Sequence, residues 1–283
     1  MQIEQIESNS HVLRMEVAPE WEKWLLLTAD HHWDNPHCDR DLLKKHLGEA
    51  VKRDALIFCF GDLFCMMQGK YDPRRSKAGV RPEHNRADYL DAVIADAAEW
   101  YAPYMPNFCF VSPGNHESSI LNRLETNPLE RFVERVAMLS GTRPALGKYG
   151  GWIRLAFKHH VGLRSQSLRL NYFHGSGGGG PVTQGVIQHQ RRAAFIEGAD
   201  IVVGGHVHDL NMTTRRKEYL DIYDKIRYRD QVHLTCSTYK EEYHGGEGWH
   251  IERGAPPKPL GSWWVRLYWT NAEGVRFEYV PCT

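Results

Sequence analysis

The sequence predicts an α/β protein whose sheets are covered by helices on their outer faces. Three observations carry this. Several apolar runs are continuous rather than alternating, which marks strands buried on both sides. Amphipathic stretches of helical period separate these runs in the first half. The second half is richer in β-branched and aromatic residues at strand spacing. The 283 residues are 42% hydrophobic and 25% charged, enough apolar material for a sizeable core. No linker-like break divides them, so one domain over 1–283 is expected.

The elements follow in order. Trp24 to Thr28 (WLLLT) reads as a buried strand. Asp39 to Lys52 reads as a helix, with Leu42, Leu43, His46, Leu47 and Ala50 at helical spacing and Asp39 as N-cap. Ala55 to Phe60 is a second buried strand, and Arg86 to Tyr101 a helix stopped by Pro103 and Pro106. Asn107 to Val111 is a third strand, and Leu129 to Leu139 belongs to a third helix. Trp152 to Phe157 and Leu168 to Phe173 look like a pair of strands. Thr183 to Glu197 reads as a helix with Gly198 as its stop, and Ile201 to Val203 as a short buried strand. Tyr219 to Tyr228, Val232 to Thr235, Trp263 to Trp269 and Val275 to Val280 complete the strands.

Composition excludes several classes of function. Lys+Arg and Asp+Glu are both 35, which argues against a surface that coats nucleic acid or an anionic membrane, though not against a local basic patch. No stretch approaches the ~18 apolar residues of a transmembrane helix. The polar, acid-bearing N-terminus does not read as a signal peptide, so an intracellular, cytoplasmic location away from membranes is expected. The six cysteines (38, 59, 65, 109, 236 and 282) form no CxxC pair, which excludes a zinc ribbon or a disulfide framework. Cys59 and Cys109 lie in apolar runs and read as small core residues.

Five buried strands each run into a polar cluster: Ala29-Asp30-His31-His32, Gly61-Asp62, Ser112-Pro113-Gly114-Asn115-His116-Glu117, His174-Gly175 and Gly204-Gly205-His206-Val207-His208. Ligands in open α/β sheets collect at the carboxyl ends of strands, so these clusters can meet in one place. Asp30 and His32 stand two apart, and an extended backbone would point both the same way; His206 and His208 repeat this. Asp62 can bridge two ions, Asn115 offers a neutral oxygen, and His174 offers another imidazole. A mixed N/O set without thiolate suits Mn, Fe, Zn, Ni or Co. Seven ligands exceed what one ion takes from protein, whereas two ions ~3.5–4 Å apart would use them.

In order, Asp30-x-His32, Gly61-Asp62, Gly114-Asn115-His116-Glu117, His174-Gly175 and Gly205-His206-x-His208 resemble the five motifs of calcineurin-like metallophosphoesterases. They span roughly residues 25–210. The resemblance implies a four-layer α/β/β/α sandwich of two mixed β-sheets flanked by helices, with the active site at the strand C-terminal ends and residues 211–283 completing the second sheet. It also implies one ion on Asp30, His32, Asp62 and His208 and another on Asp62, Asn115, His174 and His206. By the same resemblance His116 faces substrate instead of metal. The expected function is a dinuclear metal-dependent phosphoesterase, a hydrolase using two divalent ions, with manganese first. A bridging hydroxide would attack phosphorus, and His116 would stabilise the phosphoryl group or protonate the leaving group. The expected substrate is a phosphate ester, leaning to a phosphodiester of nucleotide or nucleic-acid type. The alternatives are a small-molecule phosphomonoesterase and a non-catalytic scaffold on the same fold.

One position departs from the pattern. Many relatives carry an acid three residues after the bridging Asp, whereas here the residue is Cys65. Either another acid, such as Glu117 or Asp34, orients His116 instead, or His116 is less well oriented. The Arg that follows this motif in Ser/Thr protein phosphatases is missing too, so that branch is not expected.

The segment 70–86 carries Lys70, Arg74, Arg75, Lys77, Arg81 and Arg86 against Asp72 and Glu83. Arg74, Arg75 and Lys77, with Asn115, are the candidate substrate-binding residues; a solvated loop or arginines tied to the fold's own acids is the plainer alternative. The run Ser176 to Gly180 reads as slack before a helix more readily than as an anion cradle. His31 and His37 sit near the first motif, as second-shell or exposed groups or as substrate contacts. The Trp263, Trp264, Tyr268 and Trp269 tail reads as sheet core before base stacking.

Overall fold

The computed structural model describes residues 3–66, 79–159, 165–243, 249–252 and 254–283. Two N-terminal strands, β1 (Ile3–Glu7) and β2 (Ser10–Val17), precede β3 (Glu22–Thr28). Helix α1 (Arg40–Lys52) leads to β4 (Leu56–Phe60), and α2 (Tyr89–Tyr101) continues through a 3₁₀ turn, Ala102–Asn107, into β5 (Phe108–Ser112). Helices α3 (Asn115–Leu124) and α4 (Pro128–Ser140) follow, then β6 (Ala145–Leu146), β7 (Gly150–His159) and β8 (Ser165–Phe173). The remaining elements are α5 (Val186–Phe195), β9 (Ile201–Gly204), β10 (Asn211–Leu220), β11 (Ile226–Thr235), α6 (Trp249–Glu252), β12 (Ser262–Thr270) and β13 (Gly274–Cys282).

These strands form two mixed sheets, ordered β1-β2-β7-β8-β9-β11-β10 and β13-β12-β3-β4-β5-β6. Side-chain alternation along β4 shows how they are covered. Leu56, Phe58 and Phe60 point into the core between the sheets, with Leu13, Leu25, Ile153 and Leu234. Ile57 and Cys59 point the other way, into the core under α1, α2 and α4, with Leu43, Leu47, Val93 and Phe132. Each such fully buried side chain is worth roughly 1.5–3 kcal/mol. At the end of α5, Ile196, with Ala199 in the loop beyond, packs on Val202 of the seven-stranded sheet. The layers are therefore α/β/β/α, as expected from the sequence.

Several boundaries differ from expectation, each for a physical reason. Asp39 caps α1 as expected, accepting from Leu42 N at 2.8 Å. Pro103 does not end the helical path after α2; the chain tightens into the 3₁₀ turn. The segment 219–228 is not one strand but the turn between β10 and β11, whose pairing runs unbroken from Asn211↔Thr235 to Leu220↔Ile226. Asp221 makes that turn, its Oδ1 accepting from Tyr223 N and Lys225 N at 2.8 and 3.0 Å. Residues 211–283 complete both sheets instead of one: β10 and β11 join the first, β12 and β13 the second. All six cysteines are buried and free. Trp263 and Trp264 are core, as expected. No helix among the described residues is long and apolar enough to cross a membrane.

Under α5 lies a polar layer. His189 bonds to Thr213 and Thr235 hydroxyls at 3.0 and 2.6 Å, and His233 Nε2 meets Gln231 Oε1 at 2.9 Å. Burial lowers both imidazoles to about 4, with help from Arg215. A folded pKa below the unfolded one means that this stability is present above about 6.5 and is lost as pH falls toward the folded value. The thermal midpoint is expected to drop between about pH 7 and pH 4.5, and to drop less in His189→Gln, where nothing titrates at that position. A midpoint constant over that window contradicts this.

Candidate metal centre

The structure brings all seven sequence-predicted ligands together at the strand ends, in two adjoining groups. In the first, His32 Nε2 and His208 Nε2 are 3.2 Å apart, and Asp30 Oδ1 lies 3.7 and 3.3 Å from them. In the second, Asn115 Oδ1 lies 2.7 Å from His206 Nδ1 and 3.1 Å from His174 Nε2, which is 3.2 Å from Asp62 Oδ2. A tetrahedral ion with bonds of ~2.0–2.1 Å separates its ligand atoms by about 3.3 Å. The distances within the two groups, 2.7 to 3.7 Å, bracket that spacing. Asp30 Oδ1 is also buried with no hydrogen-bond partner among the described residues, although its other oxygen accepts from His206 N at 2.7 Å. A buried carboxylate oxygen facing two imidazoles and bonded to neither calls for a cation. The donor set therefore fits divalent metal.

The backbone reaches this arrangement differently from expectation. Asp30, Asp62, His32, His206 and His208 all have positive φ, from 46° to 72°. In the D-x-H and H-x-H pairs both ligands are thus left-handed, at alternate positions past the strand ends, not parts of extended segments, and they still aim both side chains into one cluster. Each such residue costs of order 1–3 kcal/mol and needs support from its surroundings. Support comes from loop-to-loop bonds: Asp30 N to Gly61 O (2.9 Å), His32 N to Asp62 O (3.1 Å) and Gly205 N to His174 O (2.7 Å). The motif glycines have a steric reason. A Cβ on Gly61 (φ 104°) would sit 2.3 Å from His174 Nδ1, and one on Gly205 would sit 2.2 Å from Asp30 Oδ2.

The electrostatics are set by burial against charge pairing. Burial opposes charge on His174, yet Asp62 and Asp30 outweigh it and carry its pKa up to about 10. Burial likewise opposes ionisation of Asp62, but His174 and His116 hold its carboxyl well below the usual range. His32 is pushed well down by burial and by its neighbours His116 and His208.

His116 lies in the first turn of α3, a helix not expected from the sequence, where the third strand simply runs into a polar cluster. Its Nδ1 is 2.5 Å from the carbonyl oxygen of Cys65. A carbonyl only accepts, so Nδ1 carries the proton, and Nε2 lies 3.8 Å from Asp62 Oδ2. The orienting group is therefore the main chain at Cys65, and not the side chain of Glu117 or Asp34. Both acids serve it at one remove. Asp34 accepts from Cys65 N (2.6 Å), Met66 N (2.8 Å) and the Tyr89 hydroxyl (3.2 Å). Glu117 accepts from Asp62 N, Phe64 N and Gly114 N (3.2, 2.9 and 2.8 Å), tying the second motif to the third. Burial and the nearby Asp62 push the Glu117 carboxyl up to about 8. Asp34→Ala is expected to lower turnover about 10-fold at unchanged metal content, the scale of a supporting partner. Nitrogen-15 NMR should then show His116 losing its uniform Nδ1–H tautomer, and an unchanged tautomer would refute the positioning role.

Ser237 and Thr238, which sequence reading passed over, also hold the centre: their hydroxyls donate to His208 O and Asp30 O at 2.8 and 2.9 Å. A small hydroxyl pair in a loop carries no pattern that marks it. His31 lies outside the centre, fully buried between the Tyr101 hydroxyl and Thr28 Oγ1 at 2.8 Å each. Tyr239 is core, its hydroxyl 3.0 Å from His46 Nδ1. Arg74, Arg75 and Lys77 lie outside the described residues. From the same segment, Arg81 donates to Asn35 O and Cys38 O (3.1 and 3.2 Å), and Arg86 pairs with Asp88 at 2.7 Å, so those two serve the fold.

Fold and centre together define a class: an α/β/β/α protein built around a strand-end cluster of metal-binding imidazoles and carboxylates. Within it, the chain belongs to the calcineurin-like phosphoesterase family, whose profile matches residues 23–210. No curated protein sequence matches the chain. Solved structures similar to it include GAP50 of Plasmodium, described as the anchor in the inner membrane complex, at 11% identity over 93% of this chain and 85% of that one (TM-score 0.39). The Thermotoga maritima protein TM1076 is 14% identical over 92% and 99% (TM-score 0.33). Vps29 of Chaetomium thermophilum is 11% identical over 92% and 97% (TM-score 0.33). At these values the three assign nothing to this chain.

Proposed function

We propose that this protein is a dinuclear metal-dependent phosphoesterase acting on phosphodiesters of nucleotide or nucleic-acid type. What supports this above all is the convergence of seven N and O donors into two adjoining groups with metal-ligand spacing. Asp30, His32 and His208 would hold one cation, and Asn115, His174 and His206 the other. Asp62 would serve both. Its Oδ1 accepts from His116 N at 3.0 Å, which holds the carboxylate in place. When bound, a pair of divalent cations, manganese first among the candidates, lowers the pKa of a water toward neutrality and offsets phosphoryl charge.

The chain's own residues do the rest. Asn115 offers its amide to the phosphoryl group as well as its oxygen to the centre. With Nδ1–H of His116 committed to the Cys65 carbonyl, His116 gives a proton to a leaving oxygen only as the imidazolium, from Nε2, and returns to the Nδ1–H tautomer. Arg74, Arg75 and Lys77 are proposed, on sequence alone, to hold the remainder of a polyanionic substrate. Metal analysis of the purified protein, followed by a panel of mono- and diesters, tests the whole. About two transition ions per chain and diester cleavage at least equal to monoester cleavage are expected. One ion at full occupancy refutes the dinuclear reading, a monoester preference refutes the substrate class, and no hydrolysis at all favours a scaffold.

A further inference from the structure

The β10–β11 hairpin has a surface that the metal centre does not use. β10 is the terminal strand of its sheet, and among the described residues no backbone bond joins its outer edge to another strand. An open ten-residue edge is a template for pairing with another chain. Around the turn, Tyr219, Leu220, Ile222, Tyr223, Ile226 and Tyr228 are 48–90% exposed. So many exposed apolar side chains at one end of the hairpin mark a contact surface. β10 begins just after His208, so at ~3.3 Å per residue the turn lies about 30 Å from the centre. The surface is therefore separate from the proposed chemistry.

We propose that β10 pairs antiparallel with β10 of a second copy of this chain, about a two-fold axis normal to the sheet. Such an axis keeps every residue on its own face, so even positions meet even and odd meet odd. Centred on Lys217, it sets Arg216 opposite Glu218 and Arg215 opposite Tyr219, each twice. The first is an ion pair between directly opposed residues, and the second a cation over an aromatic ring. The two Lys217 residues meet at the axis, but each ammonium is drawn onto its own copy's α5, where Lys217 Nζ donates to Ala193 O. The same register lays Leu220 against Thr214 and brings the Ile222 end alongside Met212, itself 43% exposed. Charge and apolar surface are both self-complementary in this arrangement, as an isologous contact requires. Within one chain, Arg216 stands 4.0 Å from Asp230, with both side chains more than half exposed, and 5.1 Å from the Tyr228 ring centre, both loose surface contacts.

The test is sedimentation velocity and light scattering of the full chain over a range of concentrations. The native protein is expected to be a dimer. R216E and E218R each set like charges opposite one another and are expected to weaken the dimer at least ~10-fold. The double swap R216E/E218R restores opposite charges and is expected to restore the dimer. Circular dichroism and thermal melting establish that each variant is folded. A native protein that stays monomeric overturns the proposal and leaves the edge to a different protein. A dimer indifferent to R216E, or a folded double swap that stays monomeric, overturns it as well.

Discussion

Asp62→Asn is expected to abolish both halves of the metal centre at once, lowering turnover by about 10³-fold or more. The carboxylate belongs to the second group and also feels the charge of His32 in the first. Its Oδ2 faces His174 and His116, and its Oδ1 accepts the His116 N–H. An amide of the same size keeps the shape and removes the charge. His174 then loses the main partner that raises its pKa, and the two proposed cations would lose the carboxylate assigned to both. Metal content measured beside activity decides the matter. Ions retained at native occupancy in the variant would show that Asp62 is not shared.

His116→Ala is expected to leave metal content near native and to lower turnover by ~10²-fold or more, the scale of a proton-transfer group. The residue is placed for this by its own backbone N–H on Asp62 and its Nδ1–H on the Cys65 carbonyl, neither of which uses Nε2. The deficit should shrink as the leaving group becomes a weaker base, because such groups need no proton. An equal deficit across leaving-group pKa would show that His116 binds the phosphoryl group instead. Loss of metal would make it a ligand.

Much of this was legible in the sequence, and the reasons are specific. The runs WLLLT and ALIFCF read as strands because both faces of each are buried in different cores, which demands apolar residues throughout. The seven donors stood out because each follows such a run. What escaped has equally physical causes. β10 reads as polar, since at the edge of a sheet it has little to bury. Helix α3 begins inside a motif, so its first turn is spent on Asn115 and His116. Asp34, Glu117, Ser237 and Thr238 act on backbone atoms remote in sequence, and such contacts have no periodicity. The αL turns at Asp30 and His32 were hidden by a spacing that an extended chain would satisfy equally.

The bond from His116 to the carbonyl at position 65 has a bearing on inheritance. A carboxylate in that role is encoded by its codon and can be erased by one base change. A peptide oxygen is present whichever amino acid is specified there. Position 65 is therefore released to vary as far as its buried space and the bond its sulfur accepts from Asn35 allow, while the loop's course, held through Asp34, carries the constraint. Purifying selection at this centre then falls on the residue that steers the loop, and the lineage can exchange the thiol without exchanging the mechanism.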